Sequence, residues 1–266
     1  MKTGIIGLGK MGGALLRGML KAGAVVPEEV WVYDHHHENV QALQEEYPGV
    51  HEAPTEAVAA DAVEVLILAV KPHGILPLIS SLSERGAELP LLISIAAAIS
   101  LDDMEACASD GTRIVRAMPN TPCMVLSGVI AYSTGTAVTD EDEEAALLSG
   151  CGSVFKVEES RMNAVSAISG CGPAYMFTAL DALSDAGVAM GLPRKTALEL
   201  AAGTMLGSAL MVEQTGEHPM ALRDAVTSPG GTTIAALNAL DECGFRNAWI
   251  QAVKRAVRRA EEMEGN

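Results

Sequence analysis

The sequence predicts an α/β chain in which a doubly wound, mostly parallel sheet occupies residues 1–158 and an all-helical domain occupies residues 159–266. Two observations support this prediction. Up to about residue 158, short apolar runs alternate with amphipathic stretches, as buried parallel strands alternate with their crossover helices. From about residue 160, strand patterns stop, and long stretches rich in Ala, Leu and Met repeat apolar residues at spacings of three and four.

The apolar runs of the first domain place its strands. They are expected near residues 4–6, 30–33, 65–70, 91–95, 113–117, 129–132 and 154–157. In the second domain, Gly191 and Pro193 predict the end of one helix and the start of the next. A later helix is expected to stop near Gly244.

The composition excludes several functional classes. The 34 acidic residues against 18 basic ones give a formal charge of −16, which would repel a nucleic acid. The five cysteines include no C-x-x-C pair and have no histidine at zinc-binding spacing, so no metal site is expected and the thiols are predicted to be reduced and mostly buried. The first predicted strand begins almost at once, so no signal peptide is expected, and no apolar run approaches the roughly 18 residues of a membrane span. These features predict a cytoplasmic protein that binds neither nucleic acid nor membrane.

A glycine-rich turn follows the first predicted strand and opens the first helix. It consists of Gly7, Leu8, Gly9, Lys10, Met11 and Gly12. In this spacing the first glycine permits a tight turn, the second lets the backbone approach a pyrophosphate, and the third lets helix and strand pack closely. Amides at the helix N-terminus then face the phosphates. The turn predicts a Rossmann-type domain that binds NADPH or NADH.

Asp34 ends the second predicted strand, 22 residues after Gly12. An acidic side chain there accepts hydrogen bonds from the ribose 2′-hydroxyl and repels a 2′-phosphate, which favours NADH. His35, His36 and His37 follow at once, and protonated imidazoles would soften that repulsion or contact the adenine. The same histidines also fit an exposed loop. The choice between NADH and NADPH therefore stays open.

Further cofactor contacts are predicted where strands end, because an open parallel sheet binds ligands at its carboxyl edge. The predicted residues are Ala69, Val70, Lys71, Pro72, Ala96, Ala97 and Asn120. Lys71 is placed to reach a phosphate or a substrate carboxylate, although a surface lysine would look the same in sequence. The two small alanines leave room for a nicotinamide, and Asn120 lies in a rigid loop between two prolines that presents polar groups towards it.

A second glycine-rich turn precedes a helix of the second domain. Residues 224–233 end in Ser-Pro-Gly-Gly-Thr-Thr, in which Pro229, Gly230 and Gly231 force a turn that exposes amide N–H groups. Free donors and the positive end of the helix dipole make an anion pocket that suits one carboxylate. The alternative is an ordinary N-cap, in which a threonine caps its own helix.

Six motifs that span nearly the whole chain resemble those of the pyrroline-5-carboxylate reductase family. They are the N-terminal glycine turn, AVKP at 69–72, RAMPNTP at 116–122, SGCGPAY at 169–175, MGLP at 190–193 and DAVTSPGGTT at 224–233. SPGGTT is the most specific of them. The resemblance implies reduction of Δ1-pyrroline-5-carboxylate to L-proline, the last step of proline synthesis, with NADPH or NADH as the cofactor.

The resemblance also implies roles for the helical domain. It would be a dimerisation domain that builds the substrate site between subunits, and higher assemblies, often decamers, are familiar in the family. The implied substrate-binding residues are Ser228, Gly230, Gly231, Thr232, Thr233 and Glu159. Thr233 would be the catalytic residue, whose hydroxyl hydrogen-bonds the ring nitrogen, and the residues before it would hold the carboxylate.

Two residues depart from the family pattern. Cys171 replaces the usual serine of SGSGPAY and is a poorer hydrogen-bond donor. Asp34 replaces the small or basic residue that many NADPH-dependent members carry. Two other functions fit parts of the sequence: a related reductase of another imino or 2-hydroxy acid, which would not require SPGGTT, and a dinucleotide sensor without turnover, which would require only the first glycine turn.

Overall fold

The structure, a computed structural model, describes residues 1–138 and 150–264. Its strands are β1 (Thr3–Ile6), β2 (Val30–Tyr33), β3 (His51–Glu52), β4 (Val65–Leu68), β5 (Leu91–Ser94), β6 (Ile114–Met118), β7 (Gly128–Thr134) and β8 (Gly152–Lys156). Within the described ranges, the α-helices are α1 (Lys10–Ala22), α2 (His37–Glu46), α3 (Glu56–Asp61), α4 (Pro72–Ser83), α5 (Leu101–Cys107), α6 (Met162–Val165), α7 (Gly172–Ala189), α8 (Arg194–Thr215), α9 (Pro219–Ala225), α10 (Thr232–Glu242) and α11 (Phe245–Glu264). The predicted class, a mostly parallel α/β domain followed by a helical one, is confirmed.

β1 lies inside the sheet, whose strand order is β3-β2-β1-β4-β5-β6-β7-β8. It pairs in parallel with both β2 and β4, so Gly4 lies opposite Trp31 on one side and Leu66 on the other. The chain therefore winds outward from β1 in two directions. The carboxyl ends of β1, β2 and β4 lie together at one edge, where an open sheet of this kind binds its ligand.

Apolar side chains on the two faces of the strands form two separate cores. Ile5 belongs to a cluster that includes Leu15 and Leu16 of α1, whereas its neighbour Ile6 belongs to a cluster that includes Ile75 and Ile79 of α4. Each of these side chains is buried almost completely, and burial of one such side chain stabilises a fold by roughly 1.5–3 kcal/mol. The two-sided burial explains why the strands read as continuous apolar runs rather than as alternating ones.

Two strands behave differently from the rest of the sheet. The sequence pattern does not predict β3, because its two residues are polar and exposed. β7 runs antiparallel to β6, whereas β7 and β8 are parallel. The segment between Met118 and Gly128 contains only a short 3-10 turn, and such a connection reverses the chain because a parallel crossover needs a dozen or more residues.

The chain folds as two compact units, Met1–Cys171 with Ala256–Asn266, and Gly172–Arg255. In the second unit α7 and α8 pack closely, since a Cβ atom on Gly187 would lie 2.9 Å from the Ala197 Cβ. The predicted break at Gly191 and Pro193 separates these two helices and is confirmed, as is the stop of α10 before Gly244. The boundary between residues 158 and 159 stays a prediction, since it is placed on a change of sequence pattern and not on packing. Among the described helices, none combines the length and the hydropathy that crossing a bilayer requires.

All five cysteines are free, but the prediction that they are mostly buried is wrong. Only Cys123 and Cys151 are buried; Cys243 is exposed and the other two are half-buried. The buried pair lies within hydrogen-bonding reach, and the hydrogen bond from Cys151 lowers the pKa of the Cys123 thiol. Sequence spacing does not reveal this pair because Cys151 reaches Cys123 only when β8 joins the sheet beside β7.

Candidate active site

Each glycine of the turn after β1 has a distinct steric role. Gly7 has a φ of +101°, and a Cβ atom there would lie 2.7 Å from the Ala69 carbonyl oxygen. A Cβ atom on Gly12 would overlap the Gly7 carbonyl oxygen, so α1 and the turn approach this closely only because position 12 is glycine. Gly9 differs, because no described atom lies within 4 Å of its Cβ position. The open space over Gly9 is where a pyrophosphate approaches the backbone in this fold.

The N-terminus of α1 faces the same space. The helix begins at Lys10 with Gly9 as its N-cap, and no side chain of the described residues caps it. Its first turn closes through a bond from the Gly13 amide to the Gly9 carbonyl oxygen (2.9 Å). The free amides and the helix dipole attract anions, so this turn fits the diphosphate of a dinucleotide.

A cleft of about 650 Å³ opens beside the turn. The predicted cofactor residues in its lining are Gly7, Gly9, Lys10, Met11, Asp34, Ala69, Val70, Lys71, Pro72, Ala96 and Ala97. Leu8, Gly12 and Asn120 are not in the lining: the first two are buried beside it, and Asn120 lies in the loop two residues after β6. The cleft therefore brings together residues predicted from four separate strand ends, those of β1, β2, β4 and β5.

The carboxylate of Asp34 is held by two backbone amides. Its Oδ2 accepts a hydrogen bond from the Leu8 amide (2.5 Å), and its Oδ1 accepts one from the His36 amide (2.7 Å). Leu8 thus contributes its backbone to the site although its side chain is in the core. The first bond fixes the end of β2 to the glycine turn, and the second holds the loop that follows β2.

Two of the three histidines after Asp34, His35 and His37, have acidic or phenolic groups beside their rings. The His35 ring stands edge-on to Tyr33, its Nδ1 lies 3.3 Å from the Tyr33 hydroxyl, and its Nε2 lies 4.0 Å from Glu56. Burial, reinforced by the charge of Glu56, raises the pKa of Tyr33. His37 Nδ1 lies 2.6 Å from a Glu52 carboxylate oxygen.

Sequence analysis missed several residues of the lining, namely Ile6, Tyr33, Asn39 and Ile95. Tyr33, Ile6 and Ile95 belong to strand patterns that predict core positions, so only the geometry shows that they border the cleft. Asn39 lies in the first turn of α2, and its position after the histidines is the one signal that would have drawn attention to it.

Asn120 braces three segments of the first unit. Its Nδ2 donates to the Ser169 carbonyl oxygen (3.1 Å), and its Oδ1 accepts from the Val129 amide (2.9 Å). The side chain is 7% exposed. These contacts hold the RAMPNTP loop against the start of the SGCGPAY segment. A turn of π-helix over Ser166–Gly170 leads into that segment, and the Cys171 amide donates to the Ser166 carbonyl oxygen (2.8 Å).

Glu159 contacts a buried arginine rather than standing free. Its Oε1 accepts from the Leu101 amide (2.6 Å) and from Arg116 Nη1 (2.9 Å). The Arg116 side chain is 3% exposed, and its Nη2 also pairs with Glu264 (3.2 Å), near the end of α11. Sequence analysis missed Arg116 and Glu264, because 148 residues separate them and neither belongs to a local pattern that marks an ion pair.

The Ser-Pro-Gly-Gly-Thr-Thr turn lies in the second unit and forms an open helix start. α10 begins at Thr232 with Gly231 as its N-cap, and no side chain of the described residues caps it. Gly230 has a φ of +68°, and a Cβ atom on Gly231 would overlap the Ser228 hydroxyl. Thr233 is half-buried. The open N-terminus favours the anion pocket over the ordinary N-cap, because the threonines leave the first amides of the helix available.

Two family models match the chain. A model described as pyrroline-5-carboxylate reductase dimerisation matches residues 159–263, and one described as NADP oxidoreductase, coenzyme F420-dependent, matches residues 2–98. The first covers the helical part with the Ser-Pro-Gly-Gly-Thr-Thr turn, and the second covers the part with the glycine turn and Asp34.

Individual proteins match the chain over almost its whole length. A pyrroline-5-carboxylate reductase of Methanosarcina acetivorans is 42% identical, over 98% of this chain and 97% of the relative. One of Escherichia coli is 38% identical, over 98% of both. A crystal structure of the Plasmodium falciparum pyrroline carboxylate reductase with NADP bound superimposes with a TM-score of 0.89 at 30% identity, over 99% of this chain and 98% of that one. The chain therefore belongs to the pyrroline-5-carboxylate reductase family of NAD(P)H-dependent oxidoreductases.

Proposed function

We propose that the chain reduces the C=N bond of Δ1-pyrroline-5-carboxylate to give L-proline in proline biosynthesis, with NADPH or NADH as the reductant. The observation that carries the proposal is the uncapped start of α10 after Gly230 and Gly231, in a chain that matches reductases of this name from end to end. An exposed set of helix amides suits the one carboxylate of this substrate.

The first unit supplies the cofactor site. A bound reduced nicotinamide supplies the hydride. The amides around Gly9 and the N-terminus of α1 hold the diphosphate, and Asp34 faces the adenosine ribose at the end of β2. Lys10 and Lys71 line the same cleft and add positive charge near the phosphates. Ala96 and Ala97 leave space for the nicotinamide because neither side chain extends beyond Cβ.

The second unit supplies the substrate contacts. The Ser228 hydroxyl and the backbone of Gly230, Gly231 and Thr232 hold the carboxylate at the start of α10. The Thr233 hydroxyl then hydrogen-bonds the ring nitrogen, which fixes the imine carbon in the orientation that hydride transfer requires. Hydride transfer is easiest when that nitrogen is protonated, since the positive charge makes the carbon more electrophilic.

Asn120 and Glu159 belong to the proposed site as positioning residues. Asn120 already uses both polar atoms of its amide on Ser169 and Val129, so we propose that it shapes the nicotinamide side of the site through the loop it braces. Glu159 uses Oε1 for both of its protein contacts. Its position near the substrate is therefore proposed to depend on Arg116.

We further propose that the helical domain forms a dimer, which assembles in turn to a decamer. The second unit exposes many large apolar side chains, among them Phe177 at 64%, Met190 at 83% and Leu206 at 63%. Gly203 and Gly207 of α8 have no described atom within 4 Å of their Cβ positions, so a helix of another subunit has room to approach there. A cytoplasmic location completes the proposal, since free thiols persist in a reducing compartment.

The test is to incubate the purified protein with pyrroline-5-carboxylate and each reduced nucleotide. We expect loss of the reduced-nicotinamide absorbance and formation of L-proline, identified by mass spectrometry, with at least one nucleotide. Nucleotide binding without any turnover would instead identify a dinucleotide sensor. Turnover of another cyclic imine or of a 2-hydroxy acid in preference to this substrate would identify a related reductase.

A further inference from the structure

We infer that Asp34 makes the chain selective for NADH over NADPH. The inference rests on the proposed function only in so far as a nicotinamide dinucleotide occupies the cleft beside the glycine turn. The family does not decide the question, because the P. falciparum relative binds NADP.

Asp34 is fixed at the place where the adenosine ribose is held in this fold. It lines the cleft at the end of β2, and its two oxygens accept hydrogen bonds from the amides of Leu8 and His36. To turn away from the cleft, the carboxylate would have to leave both amides without an acceptor. The negative charge therefore cannot move aside when a ligand arrives.

The groups around Asp34 do not form a phosphate site. Of the three histidines after it, His35 faces Glu56 and His37 is hydrogen-bonded to Glu52, so each imidazole is accompanied by a carboxylate. His36 lines the cleft, but its backbone amide is committed to Asp34. A 2′-phosphate at the end of β2 would thus meet the carboxylate of Asp34, and the described lining of the cleft contains no arginine to pair with it. The two lysines of the lining, Lys10 and Lys71, follow β1 and β4 instead.

A ribose 2′-hydroxyl suits the same position. Each carboxylate oxygen has two lone pairs, so an oxygen that accepts one backbone amide can still accept a hydrogen bond from a hydroxyl. A phosphate has no proton to donate when fully ionised and brings up to two negative charges. The Asp34 carboxylate therefore attracts the 2′-hydroxyl of NADH and repels the 2′-phosphate of NADPH.

Equilibrium binding of each nucleotide, measured by isothermal titration calorimetry without substrate, tests the inference. We expect the wild-type chain to bind NADH at least about 10-fold more tightly than NADPH. In Asp34→Asn, the side chain keeps its shape but loses its charge, and we expect the ratio of the two Kd values to shift towards NADPH by at least about 10-fold. Asp61→Asn is the matched control, because it removes the same charge from the same unit at a residue that does not line the cleft and pairs with Arg85 instead, and its ratio should stay at the wild-type value.

Tighter binding of NADPH than of NADH by the wild-type chain would overturn the inference, and so would an unchanged ratio in Asp34→Asn. If that variant unfolds, the ratio of the wild-type Kd values for NADH and NADPH tests the inference by itself. Because no substrate is present, a failure to reduce pyrroline-5-carboxylate would leave this measurement intact and would count only against the proposed reaction. Binding of neither nucleotide would overturn both.

Discussion

Thr233 is the residue on which the proposed chemistry depends most directly. Removing its hydroxyl in Thr233→Ala should lower turnover by roughly 10- to 100-fold, on the order of 1–3 kcal/mol of transition-state stabilisation, because the ring nitrogen loses its hydrogen-bond partner. Steady-state kinetics with pyrroline-5-carboxylate measures this. Thr178→Ala is a control for threonine removal in the same unit, since the Thr178 hydroxyl donates to the Ala174 carbonyl oxygen one turn earlier in α7. Unchanged kinetics of the Thr233 variant would remove this residue from the mechanism.

At the residue scale, the sequence predicts which residues belong to the cofactor turn better than it predicts which residues contact one another in the fold. The roles of Gly7, Gly9 and Gly12 follow from their spacing, and each agrees with the steric surroundings in the structure. The bond from Leu8 to Asp34 does not follow from sequence, because Leu8 reads as a core residue and contributes only its backbone. Nor does the link between Arg116 and Glu264, since only the completed fold brings the two side chains together.

At the scale of elements, two glycines at the junction of β1 and α1 should have different roles, one in fold stability and the other in dinucleotide binding. Gly12→Ala places a methyl group against the Gly7 carbonyl oxygen, so it should lower the free energy of unfolding by about 1–3 kcal/mol. Gly9→Ala places one in open space, so it should leave the stability nearly unchanged but weaken dinucleotide binding. Chemical denaturation and calorimetric binding distinguish these results. Equal loss of stability in both variants would show that the steric difference between the two glycines has no energetic consequence.

The contact between α1 and α2 gives a prediction about pH. Arg17 binds both carboxylate oxygens of Glu46, and these bonds lower the pKa of Glu46. Since the folded-state pKa is below the unfolded value, the pair stabilises the fold above the unfolded pKa and this contribution is lost as the pH falls through the folded one. Glu46 is about half exposed, so Glu46→Gln should cost at most about 1 kcal/mol at pH 7. In urea titrations repeated at lower pH, the difference should begin to shrink below the ordinary glutamate pKa of 4.5 and disappear below the lowered folded-state pKa. A difference that persists at acid pH would show that the ion pair is not its cause.

Elements with strong apolar patterns were predictable, and short polar ones were not. β4 and β5 are buried along their whole length, so their sequences indicate them unambiguously. β3 has no such signal, and its pairing with β2 depends on where α2 ends and in which direction the chain continues from it. The direction of β7 is likewise a matter of connection length and not of side-chain pattern.

At the scale of the whole molecule, Arg116 links three segments that are distant in sequence. Removing the charge in Glu264→Gln should lower the free energy of unfolding by about 1–3 kcal/mol, because the guanidinium is nearly inaccessible to water and would lose one of its two carboxylates. Glu262→Gln is the control from the same helix, since its ion pairs with Arg258 and Arg259 are exposed and should contribute little. Thermal unfolding of the two variants compares them. Equal midpoints would show that the buried contact adds nothing to stability.

The return of the chain to its first unit has a consequence for biosynthesis. Residues from Ala256 onward belong to the same unit as Met1–Cys171. The ribosome must therefore translate the whole second unit, Gly172–Arg255, before the last part of the first unit is made. A ribosome-bound nascent chain that ends at residue 255 would therefore carry a nucleotide-binding fold without the Glu264 carboxylate that pairs with Arg116. Such a nascent chain should be more sensitive to proteases than the finished one, and folding of the dinucleotide domain should become complete only late in translation.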